Sequence, residues 1–171
     1  NALDDIAGVP AVRGIQVRFS WRELETAPGV YDFGRIQHVI DMAAARGKQL
    51  FVLLSHKNFA GGSDVPDYLK SAAYDGGVFK LGIDGKPHGT DDRRGENIKL
   101  WNANVADRYK ALVSAMGTAL NDNPGLEGVN FVETAIGQAV TPPTEAQLAG
   151  YYQNLAEVNA AARAAFPNST V

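Results

Sequence analysis

What most constrains this chain is an abrupt change of hydrophobic period between residues 35 and 54. From Arg35 to Arg46 the apolar residues Ile36, Val39, Ile40, Ala43 and Ala44 recur at i, i+3, i+4, i+7 and i+8. That stripe predicts an amphipathic helix, with Asp32 placed to cap its start and Gly47 to stop it. Directly afterwards comes Leu50-Phe51-Val52-Leu53-Leu54, apolar at every position. Side chains of a strand point to opposite faces in turn, so an unbroken apolar run calls for cover on both faces, the environment of a parallel strand.

The same grammar recurs along the chain. Residues 14–20 read as a strand with Ile15, Val17 and Phe19 on one side. A helix over 104–120 carries Val105, Tyr109, Leu112, Val113, Met116 and Leu120 on one stripe. Asn123-Pro124-Gly125 then turns into a third strand, Gly128 to Val132, extending to 133 at most. Thr144 caps a helix over 145–165, with Gln147 completing a capping box; its stripe is Leu148, Tyr151, Tyr152, Leu155, Val158 and Ala162. Residues 2–9 read as the tail of another helix and Ser169-Thr170-Val171 as the start of a fourth strand. The stretch 55–103 is long and irregular, with Gly61-Gly62, Gly76-Gly77, a hairpin-like Asp84-Gly85, and Pro66 opening a short helix through Leu69. Connections of this length are usually lids or binding loops.

The order (α)βαβαβα(β) is that of the α/β class, and right-handed crossovers give it a parallel sheet. Periodicity leaves two architectures open, a doubly wound sheet and part of a (β/α)8 barrel. Both present ligands to the carboxyl ends of the strands.

Composition removes several functions. The net charge of -3 offers no basic footprint for nucleic acid. With no cysteine there is no disulfide, thiol nucleophile or cysteine-based metal site. No apolar run approaches the roughly 20 residues of a membrane span. No glycine-rich phosphate loop follows a strand, and His38, His56 and His88 lack metal-binding spacing, so neither cofactor nor metal is expected. The chain opens on Asn1 rather than Met, as a processed, trimmed or partly represented sequence does.

At the strand ends stand Arg18, Ser20 and Trp21, then Ser55, His56, Lys57 and Asn58, then Glu133 and Thr134. Trp101 lies where the long loop meets the second long helix. Arginine, histidine, tryptophan and glutamate on one rim would suit a sugar or another polyhydroxylated ligand. Each has a plainer reading: Trp21 and Trp101 as partial core, His56 as a hydrogen-bonded structural residue, Glu133 as a loop carboxylate. His38 and His88 read as surface residues and Glu25 as a structural partner. Arg18, on an otherwise apolar strand, must find a carboxylate or reach solvent.

Val17-Arg18-Phe19-Ser20-Trp21, Leu24-Glu25 and Pro28-Gly29-Val30-Tyr31-Asp32-Phe33 together resemble a string found in clan A glycoside hydrolases, with the nearest likeness to their β-galactosidase-like families. Val65-Pro66-Asp67-Tyr68-Leu69 resembles the segment after their third strand, and Asn97 to Leu120 with Asn123 to Val129 the approach to their fourth. The likeness spans about residues 14–137. It implies a partial (β/α)8 TIM barrel, about strands two to four with their helices and the start of strand five. Residues 1–171 would then be a single incomplete domain, the amino-terminal portion of a catalytic barrel, since a full barrel takes about 250 residues.

By the same resemblance Glu133 is the general acid/base of a retaining glycoside hydrolase acting on O-glycosidic bonds of a poly- or oligosaccharide. Arg18 matches the supporting arginine; Trp21, His56, Asn58 and Trp101 are candidate sugar contacts. The second carboxylate, the nucleophile, lies outside the chain. Asp84, Asp91 and Asp92 sit in the long loop, a poor mount for a rigid nucleophile. Val132 stands where the family has asparagine, and on that departure rests the alternative, a non-catalytic carbohydrate-binding or structural barrel. A polysaccharide-acting parent fits a secreted or periplasmic location. The chain alone is expected to be inactive and to seek the rest of its barrel, or another copy, through exposed sheet edges.

Overall fold

A computed structural model describes residues 2–83, 86–87 and 95–171, with backbone alone at 83, 86 and 87. The expectations at Asp84-Gly85, His88, Asp91 and Asp92 lie outside the described residues. The order runs α1 (Ala2–Ala7), β1 (Gly14–Ser20), α2 (Trp21–Leu24), β2 (Glu25–Ala27), β3 (Val30–Tyr31), α3 (Gly34–Ala44) and β4 (Gln49–Ser55). After two short 3-10 turns, Asp67–Lys70 and Ala72–Tyr74, come β5 (Val78–Lys80), β6 (Gly82–Ile83), β7 (Lys86–Pro87) and β8 (Glu96–Ile98). The chain closes with α4 (Ala103–Leu120), β9 (Leu126–Phe131) and α5 (Glu145–Ala165).

β1, β4 and β9 form a parallel three-stranded sheet in that spatial order. Register sorts its side chains into two faces. Val17, Val52 and Val129 lie side by side, as do Phe19, Leu54 and Phe131. On that face Phe19, Leu50, Val52, Leu54 and Val129 are fully or almost fully buried, in one cluster with Ile36 and Ile40 of α3, Leu112 of α4 and Val158 of α5. The long helices therefore cover one side of the sheet. The other face is open: Gln16 and Arg18 are exposed, and Phe51, Leu53 and Asn130 only half-buried. A concavity of about 400 Å³ lies on it, lined in part by Gln16, Phe51 and Asn130. One covered face and one open face is the geometry of a barrel wall, whose inner side looks to the barrel axis. The two-sided cover read from Leu50 to Leu54 is accordingly complete on the helix side only.

Several boundaries move for local reasons. β9 begins at Leu126 because the Asn123 carboxamide and carbonyl take the amides of Gly125 and Leu126, closing the turn early. It ends at Phe131, with the Val132 amide still donating to the Leu54 carbonyl at 3.2 Å. α3 starts at Gly34 with Phe33 at its cap position; Asp32 instead accepts the Gly34 amide at 2.8 Å from one position further out. The Thr144–Gln147 capping box forms as read. The α5 stripe is narrower than expected, with Leu148 and Tyr152 exposed. The stretch 55–103 holds β5 paired antiparallel to β8, strands too short to leave a period in the sequence. Thr170 bridges in parallel to Gly128, so a fourth strand does begin beside β9. Among the described residues no helix is long and apolar enough to cross a membrane.

Candidate functional site

β1, β4 and β9 all end on one rim, and register brings Arg18, Leu53 and Asn130 level just below it on the open face. Arg18 Nη2 donates to the Lys57 carbonyl at 2.6 Å and to Asp64 Oδ2 at 2.5 Å. Asp64 also accepts from the Ser55 hydroxyl and, at 2.9 Å, from Asn58 Nδ2. This little-exposed carboxylate is the hub that draws Arg18 and Asn58 together. Sequence reading did not single it out, because nothing in Gly61-Gly62-Ser63-Asp64 distinguishes it from an ordinary loop aspartate. Asn58 is further tied down, its Oδ1 accepting the Ala60 amide and its backbone pairing with Glu96.

Glu133 lies just past the end of β9 with 58% of its side chain exposed. Behind it is Lys57, whose side chain is fully buried. The Lys57 ammonium donates to the Glu133 carbonyl at 3.2 Å and to the Ala135 carbonyl, and stands 3.8 Å from Glu133 Oε1. It also lies over the Phe59 ring, 5.7 Å from its centroid. Burial holds Lys57 below the ordinary lysine range, and the Glu133 charge opposes that shift. Arg18, Lys57 and Glu133 thus form one continuous polar line across the three strand ends.

Two expected sugar contacts belong to the core instead. Trp21 is fully buried, tilted against Tyr109 with ring centroids 4.8 Å apart, and its indole N–H donates to Glu25 Oε2 at 2.6 Å. An indole with no exposed face cannot be a platform in this chain. His56 is 2% exposed and turned inward, its Nδ1 2.9 Å from the Tyr109 hydroxyl. Burial, with Lys57 adding to it and Asp64 opposing, pushes its pKa down to about 3. It is a neutral imidazole beneath the rim rather than part of the Arg18–Glu133 line. Trp101 is half-buried and stacks on Phe79 at 5.3 Å, in a separate hollow of about 410 Å³ shared with Pro142 and Pro143.

Glu25 is fully buried, as a structural partner should be. It accepts from Arg108, from Trp21 and, at 2.8 Å, from the Gly29 amide. Arg108 also reaches the hydroxyls of Tyr31 and Tyr68. Among the described residues no cluster of three or more histidine or acidic side chains is gathered as metal ligands would be.

No family model and no curated protein matches the sequence. Solved structures do. Endo-glycoceramidase II from Rhodococcus sp., as a lactosyl-enzyme intermediate, matches with a TM-score of 0.65 at 18% identity over 98% of this chain and 42% of that one. GH5_18 from Streptomyces cattleya, in complex with GlcNAc, matches with a TM-score of 0.64 at 12% identity, over 98% of this chain and 36% of that one. GH5_18 from Bifidobacterium longum subsp. longum, in complex with Manb1-4GlcNAc, matches with a TM-score of 0.56 at 15% identity, over 91% and 34%. The chain therefore spans about two fifths or less of the lengths of these structures. With a parallel sheet covered on one face by its helices, it has the fold of part of a (β/α)8 barrel.

Proposed function

We propose that the chain is the amino-terminal part of the barrel of a retaining glycoside hydrolase, with Glu133 as its general acid/base. The observation that carries this reading is the exposed Glu133 carboxylate just past the end of β9, on the rim that also bears Arg18. A retaining enzyme sets two carboxyl groups roughly 5 Å apart, one protonating the leaving oxygen and one attacking the anomeric carbon. Glu133 supplies the first; the second comes from a later strand end. Arg18, paired with Asp64, orders the rim beside the sugar, and Asn58 remains a polar contact at its margin. A β-galactosidase-like specificity is the finer form of the reading. The lactosyl-enzyme form of the Rhodococcus structure supports covalent, retaining chemistry on this kind of scaffold.

A second reading has its own observation. Val132 replaces the asparagine that the resemblance calls for, and the Arg18 guanidinium is already engaged by Asp64 and the Lys57 carbonyl. A barrel that binds carbohydrate without cleaving it would tolerate both. Glu133→Gln in the full-length protein separates the two. On an aryl glycoside with a poor leaving group, turnover falls by about 10²-fold or more with sugar binding retained if Glu133 is the acid. Absence of turnover in the wild type, with carbohydrate binding intact, selects the non-catalytic barrel.

A further inference from the structure

β4 is flanked by two buried lysines, Lys48 and Lys57. Lys48 donates to the carbonyls of Val9 and Val12, fastening the segment that leads into β1. Lys57 fastens the segment that leaves β9 in the same way, through the carbonyls of Glu133 and Ala135. It differs in facing a carboxylate, that of Glu133, at 3.8 Å. Its other charged or titratable neighbours do not balance it. Asp64 is paired with Arg18. His56, the preceding residue, is neutral because burial lowers its pKa.

We infer that Lys57 is a positioning residue for Glu133, fixing the backbone from 133 to 135 from inside the fold and holding its ammonium against the carboxylate. It therefore governs where the carboxyl sits. The inference rests on the reading of Glu133 as the acid/base. Its physical basis is simple. The chain beyond Phe131 has left the ladder, so its carbonyls need another donor. A buried ammonium supplies that donor, and from the same place its charge faces the carboxylate at 3.8 Å.

The experiment compares wild type, Lys57→Met, Lys57→Arg and Glu133→Gln in the full-length protein. It reads backbone amide exchange across residues 132–136, and kcat and KM separately on an aryl glycoside with a poor leaving group. Lys57→Met should speed exchange there by about tenfold or more and lower kcat by about tenfold or more with KM changed less than about twofold. Lys57→Arg keeps the donor and the charge on a wider head, so exchange should stay near wild type while kcat falls only several-fold. Should Lys57→Met not fold, the Arg variant still decides, and a raised KM with unchanged kcat in it overturns the inference. Unchanged exchange and an unchanged kcat in Lys57→Met also overturn it, even if Glu133→Gln has abolished turnover. If Glu133→Gln keeps full turnover, the acid/base reading fails separately, and faster exchange in Lys57→Met then supports only the backbone-fixing part.

Discussion

Two glutamates, Glu25 and Glu133, follow strand ends of the same sheet and have opposite environments. Glu25 is sealed in, its carboxylate shared by Arg108, the Trp21 indole and the Gly29 amide. Glu133 is mostly in solvent, with one buried cation behind it. The most distinctive string in the sequence surrounds the first of these. Trp21 and Glu25 hydrogen-bond, Gly29 takes the positive φ of 78° that its hairpin turn needs, and Asp32 anchors the entry to α3. Glu133 sits among residues with little pattern at all. A motif can be specific because many side chains must interlock, and that specificity then marks the scaffold rather than the chemistry.

The contrast can be broken from its buried side first. Arg108→Met strands the Glu25 carboxylate without its cation, and losing one partner of a buried pair costs about 3–5 kcal/mol. Urea unfolding of the full-length protein should show that loss, and a cost below about 1 kcal/mol would mean that Glu25 is not a structural centre. Next in size is the turnover deficit of Glu133→Gln, about 10²-fold, equivalent to roughly 3 kcal/mol in the transition state. It should appear with the unfolding midpoint unchanged.

His56 sharpens the comparison through pH. Its folded pKa is about 3 against an ordinary 6.5. Below pH 6.5 the unfolded chain takes up a proton that the folded chain refuses, so stability falls as pH drops toward 3. Between pH 7 and pH 5 the loss is about 2 kcal/mol, and His56→Gln should remove most of that slope. An equal slope in the variant would show that His56 is not the group responsible. The smallest effect is the stability change in Glu133→Gln itself, within about 0.5 kcal/mol for an exposed side chain. A larger destabilisation would move Glu133 from the rim's chemistry to the fold's support.

Much of the fold was legible because it depends on period. The strand at 14–20 and the helix at 145–165 match the structure residue for residue, and the run Leu50 to Leu54 lies inside β4. Arg18 was legible for another reason, since a charge on an apolar strand must have somewhere to go, and it went to Asp64. The reading failed where partners are distant in sequence. Trp21 and His56 were placed on the rim because they follow strand ends, yet both turn inward to Tyr109 on α4. Asp64 was passed over for the same cause, and Lys57, though named at its strand end, was given no role. Their importance lies in which donors and acceptors reach them across the sheet.

The sequence alone determined the alternation of helix and strand, the class of the fold and, in the alternating strand β1, which side is apolar, because these follow from local spacing and from the two periods of backbone geometry. Only the tertiary structure decided that the long helices share one face of the sheet, that the most distinctive motif locks the core, and that a buried lysine stands behind Glu133. Each of those depends on contacts between segments far apart in the chain. Such contacts come from packing and register, which leave no periodic trace in the residues that make them.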